Sequence, residues 1–222
     1  MPFVCSLTNQ NYNRRSSTEK KRSKSTEESK KRITALRITF ASLTGALLLL
    51  IVAMLVYSIV RPSKRMWPPP AQQTWQYYFV WLLTLLSFGG FIVIGLLDWN
   101  SLGWPAIVRW PVGLALIFGG NVLAWAGVRQ LSMKTTSGSK GPLVTDGLYQ
   151  YSRNPQYIGD IAIIGGWAIM SASVWAIPLC LGGMLAFVLT PFAEESWLEE
   201  LHGDDYREYR SRVGRFFGRG CL

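Results

Sequence analysis

One histidine, His202, and three cysteines, Cys5, Cys180 and Cys221, are all that 222 residues offer for imidazole or thiol chemistry. A histidine-based triad or a two-histidine metal site cannot be built from one such chain. The cysteines are too few and too scattered for a disulfide framework or a zinc site. Cys221 is next to last and so misses the prenylation position, fourth from the end. No metal is expected. Acid is scarce as well: 13 Asp and Glu stand against 23 Lys and Arg, a formal charge of +10. No aromatic-studded basic fold accompanies that excess, so no nucleic acid is expected as a partner. The charge is read as loops facing anionic lipid. Carboxylates, phenols, arginine and a bound cofactor are left to carry any chemistry.

What the chain does have is apolar length. Hydrophobic residues make up 49% of it, with 10 Trp, 9 Tyr and 10 Phe. Several runs reach the length of about 20 residues that crosses a hydrocarbon core of roughly 30 Å. The expected fold is an all-α integral membrane protein with about five transmembrane helices. The last two form a helical hairpin, and a short C-terminal interfacial helix follows.

Residues 1–34 are polar and basic, and are expected to be a disordered tail touching anionic headgroups. Residues 35–104 hold two spans, 35–60 and 75–97, joined by a stiff basic connector with the proline run 68–70. A third span is expected from about Pro105 to Val128, opening a core unit of residues 105–217. Residues 218–222 are expected to be a flexible end. Trp67, Trp75, Trp99, Trp104 and Trp110 lie near these proposed ends as an interfacial belt, and Arg109 is expected to snorkel to the headgroups. The polar loop 129–152, rich in Gly, Ser and Lys, reads either as a plain connector or as a lid over a cofactor.

From Ile161 to Ala193 there is no charged residue. As one straight helix at about 1.5 Å per residue this stretch would reach roughly 50 Å, too long for one crossing. A break at Ser171-Ala-Ser173 gives two legs, 155–170 and 174–191. Gly165-Gly166 and Gly182-Gly183 then fall on either side of the turn, where small residues allow close approach. Seven of the 13 acidic residues follow, between Glu194 and Glu208. Gly203 ends one short helix and Asp204 caps the next. Trp197, Leu198, Leu201 and Tyr209 form an apolar stripe suited to the membrane surface.

The candidate site is centred on residues 147–160. Asn154 before Pro155 reads as a helix start, whose free N–H groups seat a carboxylate or phosphate. Arg153, Tyr149, Tyr151 and Tyr157 crowd the same turns. The hairpin returns Glu194-Glu195 to the face on which Arg153 and Asn154 begin. Taken singly, these residues have plainer roles as a helix cap, a ligand for lipid phosphate, interfacial anchors and a solvated acidic face. Brought to one membrane face together, they read as a functional cluster.

Tyr149, Arg153, Pro155, Tyr157 and Gly159, then the hairpin, then Glu194-Glu195 with Leu198, Gly203, Tyr206, Tyr209, Val213, Arg215 and Phe216, carry a resemblance. Over residues 105–217 the chain resembles the membrane methyltransferase family of isoprenylcysteine carboxyl methyltransferases and phospholipid N-methyltransferases. Asn154 stands where that family usually has His, and Gly214 where the isoprenylcysteine branch has Pro. The hairpin resembles the phospholipid branch and the tail resembles the isoprenylcysteine branch.

The resemblance implies S-adenosylmethionine as cofactor and methyl transfer to a lipid-like acceptor entering from the bilayer. That acceptor is an isoprenylcysteine carboxylate or a phospholipid amine. It implies cofactor binding by Tyr149, Arg153, Asn154, Gly159, Glu194 and Glu195, with Arg153 and the helix start on the carboxylate. Glu194 or Glu195 takes the ammonium or the ribose hydroxyls. Tyr157 faces the sulfonium or fixes the acceptor, and Glu195 is a candidate base for an amine. Two alternatives stand beside it. Gly159-Asp160 also resembles the C-terminal part of sterol reductases, which use a nicotinamide cofactor, and a noncatalytic membrane scaffold could keep the same fold. The site is expected to face the cytosol because the implied cofactor is cytosolic. Lys and Arg are balanced between the two sides and set no orientation.

Overall fold

The structure, a computed structural model, describes residues 3–69 and 74–218, and for residues 3–19, 133 and 134 the backbone only. Pro70 and the end beyond Gly218 lie outside the described residues, so the expected proline run and flexible end are described only in part. Two compact units are present, Met1–Thr39 and Phe40–Leu222.

Helix α1 (Phe3–Val60) provides the first unit and begins the second. The expected disordered tail is therefore helical here. The physical reason lies in what the stretch contains and omits. Lys, Arg and Glu are good helix formers, Glu27 pairs with Lys30 one turn on, and no Pro occurs between Pro2 and Pro62.

The second unit continues with α2 (Trp75–Leu97), α3 (Ala106–Leu131), the single turn α4 (Met133–Thr136), α5 (Pro155–Ser171), α6 (Ala176–His202) and α7 (Asp204–Arg212). There is no strand among the described residues. By length and composition four helical stretches suit a membrane crossing: Lys20–Val60, Trp75–Leu97, Ala106–Leu131 and Ala176–His202. The protein is multi-pass. α5, with 17 residues, is a fifth apolar helix but a shorter one.

Helices α5 and α6 form the expected hairpin, and the break falls at the expected place. α5 ends at Ser171, and Ala172 adopts a left-handed conformation at φ 44°. The turn is held by the α2–α3 connection. Asp98, buried at the end of α2, accepts hydrogen bonds from Ser101 Oγ (2.6 Å) and Ser173 Oγ (2.8 Å). Asn100 N–H donates to Ser171 O, and Leu102 N–H to Ala172 O.

Arg109 joins this end of the molecule instead of snorkelling outward. It is buried, donates from Nη1 to Met170 O at 2.7 Å, and lies 4.8 Å from the Trp99 ring. The terminal carbonyls of a helix lack intrahelical donors and carry partial negative charge, so a guanidinium is better placed there than against an aliphatic surface.

The glycines also find partners other than those expected. Gly166 lies against Gly113 of α3 and Gly159 against Gly120, so closely that a Cβ on any of the four would come within 2.6–2.9 Å of the facing carbonyl oxygen. Gly113 and Gly120, like Gly159 and Gly166, are seven residues apart, which keeps each pair on one helix face. The closest helix contact is therefore α3 with α5. Gly183 of α6 instead faces the Phe91 ring of α2, and Gly165 and Gly182 are not in tight contact.

Candidate functional site

The site is at the other end of the hairpin. α5 begins at Pro155 as expected, but Asn154 does not cap it with its side chain. Its Nδ2 donates instead to Arg215 O (3.0 Å), while Arg153 N–H donates to Gly214 O (3.0 Å). The segment after α7 is thereby fastened to the loop before α5. Gly214 donates its own N–H to Gly218 O, a bond that a proline there could not make.

Two carboxylates come up from α6, one turn after Pro191, whose missing N–H interrupts the helix ladder. Glu195 is saturated. Arg215 grips it with two bonds, Nε to Oε1 at 2.8 Å and Nη2 to Oε2 at 2.7 Å, and Arg153 Nη1 reaches Oε1 at 3.0 Å. Such a forked pair fixes geometry as well as charge. Arg215 also lies over the Phe192 ring at 3.7 Å. Both carboxylate oxygens are thus taken by N–H donors, and a proton-accepting role for Glu195 would require breaking them.

Glu194 is different. Its Oε1 accepts from Tyr157 Oη (2.5 Å) and from the Trp67 indole (2.7 Å). Its Oε2 has no hydrogen-bond partner among the described residues, so one acceptor is left for a ligand. Arg153 is 7% exposed at the side chain and gives Nη1 to Tyr206 Oη as well as to Glu195, while its buried Nε has no partner. Burial pushes the Tyr206 phenol up to about 12, so it stays neutral beside Arg153. Tyr149 is buried under the same cluster, where Tyr209 Oη donates to its carbonyl at 2.6 Å.

These groups surround a cavity of about 100 Å³. Its lining combines Arg153, Asn154, Tyr157, Glu194 and Glu195 with the apolar Leu131, Leu143, Val144, Leu198 and Leu201. The loop expected to be connector or lid contributes Gly138, Gly141 and Pro142 to the cavity's lining. The stripe expected on the membrane surface turns inward: Trp197 and Tyr209 are buried and Leu198 packs against the Tyr149–Tyr206–Tyr209 cluster. α7 accordingly packs on the site through Tyr206 and Tyr209.

Gly159, expected to touch a cofactor, packs against Gly120 and Ala124 and does not line the cavity. Three residues of the cluster were not expected in it. Tyr206 and Arg215 belong to the C-terminal motif and were within reach of the sequence. Trp67, expected in the interfacial belt, is buried with its indole on Glu194, and no local pattern signals that contact.

A second cavity, of about 220 Å³, adjoins the first. Thr136, Gln156 and Tyr157 line both. Beyond them the wall is largely apolar, built from α1, α2 and α6 by residues such as Leu48, Leu55, Phe88 and Phe187.

Comparison with known proteins bears on this arrangement. The chain is 32% identical over 118 residues to steroid 5-alpha-reductase DET2 of Solanum lycopersicum, which is 49% of this chain and 42% of that protein. It therefore spans less than half the length of that curated relative. No solved structure matches the chain. Residues 108–205, from the third helix to the start of the seventh, match the phospholipid methyltransferase family, one that the motifs of this segment resemble.

Proposed function

We propose that the protein transfers a methyl group from S-adenosylmethionine to a lipid-like acceptor held in the membrane. The observation that carries the reading is the position of Tyr157, whose side chain lines both the polar and the apolar cavity and donates to Glu194 between them. A charged donor and a greasy acceptor need two such compartments with a shared wall. The family match over residues 108–205 supports the same reading.

The polar cavity has the donors and acceptors that the methionine end of the cofactor requires. The orphaned Nε of Arg153 and the buried, unpartnered hydroxyl of Thr136 suit a carboxylate. The open Oε2 of Glu194 suits an ammonium or ribose hydroxyls. Glu195 holds Arg153 and Arg215 in place, and the leucine wall would pack a flat ring. When bound, S-adenosylmethionine supplies an electrophilic methyl group on a sulfonium, so the protein has chiefly to bind, orient and exclude water. The segment 138–142 and the α7 phenols Tyr206 and Tyr209 line the cavity and would narrow its access to water, and Tyr157 would orient what meets at the boundary.

Titration calorimetry on the detergent-solubilised chain tests the proposal. Binding of S-adenosylhomocysteine is expected. The likeness to a steroid reductase favours a second reading, a nicotinamide-dependent membrane enzyme, and binding of NADPH without S-adenosylhomocysteine would establish that instead. Binding of neither would leave a noncatalytic scaffold. The proposed cytosolic orientation is tested separately. Lys140→Cys in a cysteine-free background should react with an impermeant reagent only from the cytosolic side of sealed vesicles.

A further inference from the structure

The apolar cavity contains an acid that the proposed donor site does not use. Asp160 lies one turn beyond Tyr157 on α5 and lines this cavity, not the polar one. Its carboxylate makes no hydrogen bond and no ion pair with any described residue. The neighbouring hydroxyls cannot supply one, because each is spent on its own helix: Thr84 donates to Val80 O, Ser87 to Leu83 O and Thr190 to Ala186 O. Asp160 is half-buried, and an unpaired charge in an apolar wall is unfavourable unless something pairs with it.

A second orphan sits in the same wall. The Trp81 indole N–H is buried and has no acceptor among the described residues. Away from the Thr136–Gln156–Tyr157 boundary, the cavity thus offers one anion and one neutral donor to whatever fills it. A lipid with a cationic nitrogen and an ester or hydroxyl oxygen would satisfy both. A carboxylate acceptor would instead bring a second anion to Asp160. A neutral hydroxyl would meet the hydrogen bond and leave the charge unpaired.

Resting on the methyltransferase reading above, we propose that Asp160 selects a protonatable amine headgroup as the methyl acceptor and takes up its proton. An ammonium has no lone pair with which to attack. On transfer to Asp160 one N–H bond breaks and an O–H bond forms, and the electron pair stays on nitrogen. An ammonium and a carboxylate become an amine and a carboxylic acid, with charge conserved. Glu195 cannot serve here, since its two oxygens are held by Arg153 and Arg215. Asp160 is on the acceptor side of Tyr157, where the proton is released.

Native mass spectrometry of the full-length chain tests this, with phosphatidylethanolamine and farnesylated cysteine offered together as competing amine and carboxylate ligands. The wild-type chain is expected to retain the amine lipid about tenfold over the carboxylate, the scale of one charge-assisted contact. Asp160→Asn should bring that ratio close to unity, and Asp160→Glu should keep it. S-adenosylhomocysteine affinity, measured by calorimetry on the same preparations, should be unchanged in both variants, which also shows that they are folded. An equal or reversed preference in the wild-type chain, or an undiminished one in Asp160→Asn, overturns the role of Asp160. Failure of the wild-type chain to bind S-adenosylhomocysteine overturns the underlying methyltransferase reading instead, while the lipid ratio still judges Asp160.

Discussion

Arg153 Nη1 and Glu195 Oε1 lie 3.0 Å apart although the whole α5–α6 hairpin separates them in sequence. Their side chains are 7% and 16% exposed, so the pair is largely withdrawn from water. Glu195→Gln should therefore cost about 3 kcal/mol of apparent stability, because it leaves two guanidiniums facing an uncharged amide. Thermal unfolding in micelles of Glu195→Gln, Arg153→Ala and the double variant measures this. The two effects should be non-additive by at least about 1 kcal/mol. Strict additivity would mean that the two groups do not act together.

The α3–α5 contact makes a sharp contrast between adjacent glycines. A Cβ at Gly120 would meet Gly159 O at 2.6 Å, whereas a Cβ at Gly119 meets nothing within 4 Å. Gly120→Ala is expected to destabilise by roughly 2–3 kcal/mol through overpacking against backbone that cannot yield. Gly119→Ala should be neutral or slightly stabilising. Gly159→Ala should behave like Gly120→Ala. Should it leave thermal stability intact and abolish S-adenosylhomocysteine binding, Gly159 would be a cofactor residue after all.

Trp67 lies outside the family-matched residues yet donates to Glu194 at 2.7 Å. Trp67→Phe keeps most of the packing and removes that hydrogen bond to a carboxylate, worth about 1.5–3 kcal/mol. Affinity for S-adenosylhomocysteine should fall by about tenfold or more, and the melting temperature should drop by several degrees. A variant that binds normally would show that Tyr157 alone positions Glu194.

Tyr206 gives a pH dependence. Its folded value, about 12, lies above the ordinary phenol value of 10.0, and burial is the main cause. Below pH 10 folded and unfolded chains bind the phenolic proton equally. Between 10 and 12 the unfolded chain releases it first, so stability should fall by about 1.4 kcal/mol per pH unit over that window. Tyr206→Phe should remove this part of the alkaline loss. A titration of tyrosinate absorbance in which the variant lacks only a component near pH 10 would contradict the assignment.

Much of this architecture was legible in the sequence, because lipid imposes length and polarity rules that short motifs report directly. The bounds of α2, the start of α5 at Pro155, the turn after Ser171 and the break at Gly203 all follow from apolar length and helix-end residues. The meeting of Arg153 with Glu195 follows from the hairpin alone. What sequence does not carry is the choice of neighbour. A glycine announces close approach without naming its partner, so the packing of the α5 glycines on α3, beside the α5–α6 hairpin, was out of reach. Arg109 turned inward because a carbonyl and an aromatic ring from distant residues were waiting there. Saturation of Glu195 by Arg215 depends on how the C-terminal segment folds back over residues 152–154, a tertiary event.

Backbones that touch without intervening side chains cannot slide or part by small steps. The carbonyls of Gly113, Gly120, Gly159 and Gly166 thus weld α3 to α5 into one rigid plank. Beside that plank, the apolar chamber is bounded by α1, α2 and α6. α5 and α6 line the polar cavity as well, so the two chambers share these walls and a shift of α6 alters both.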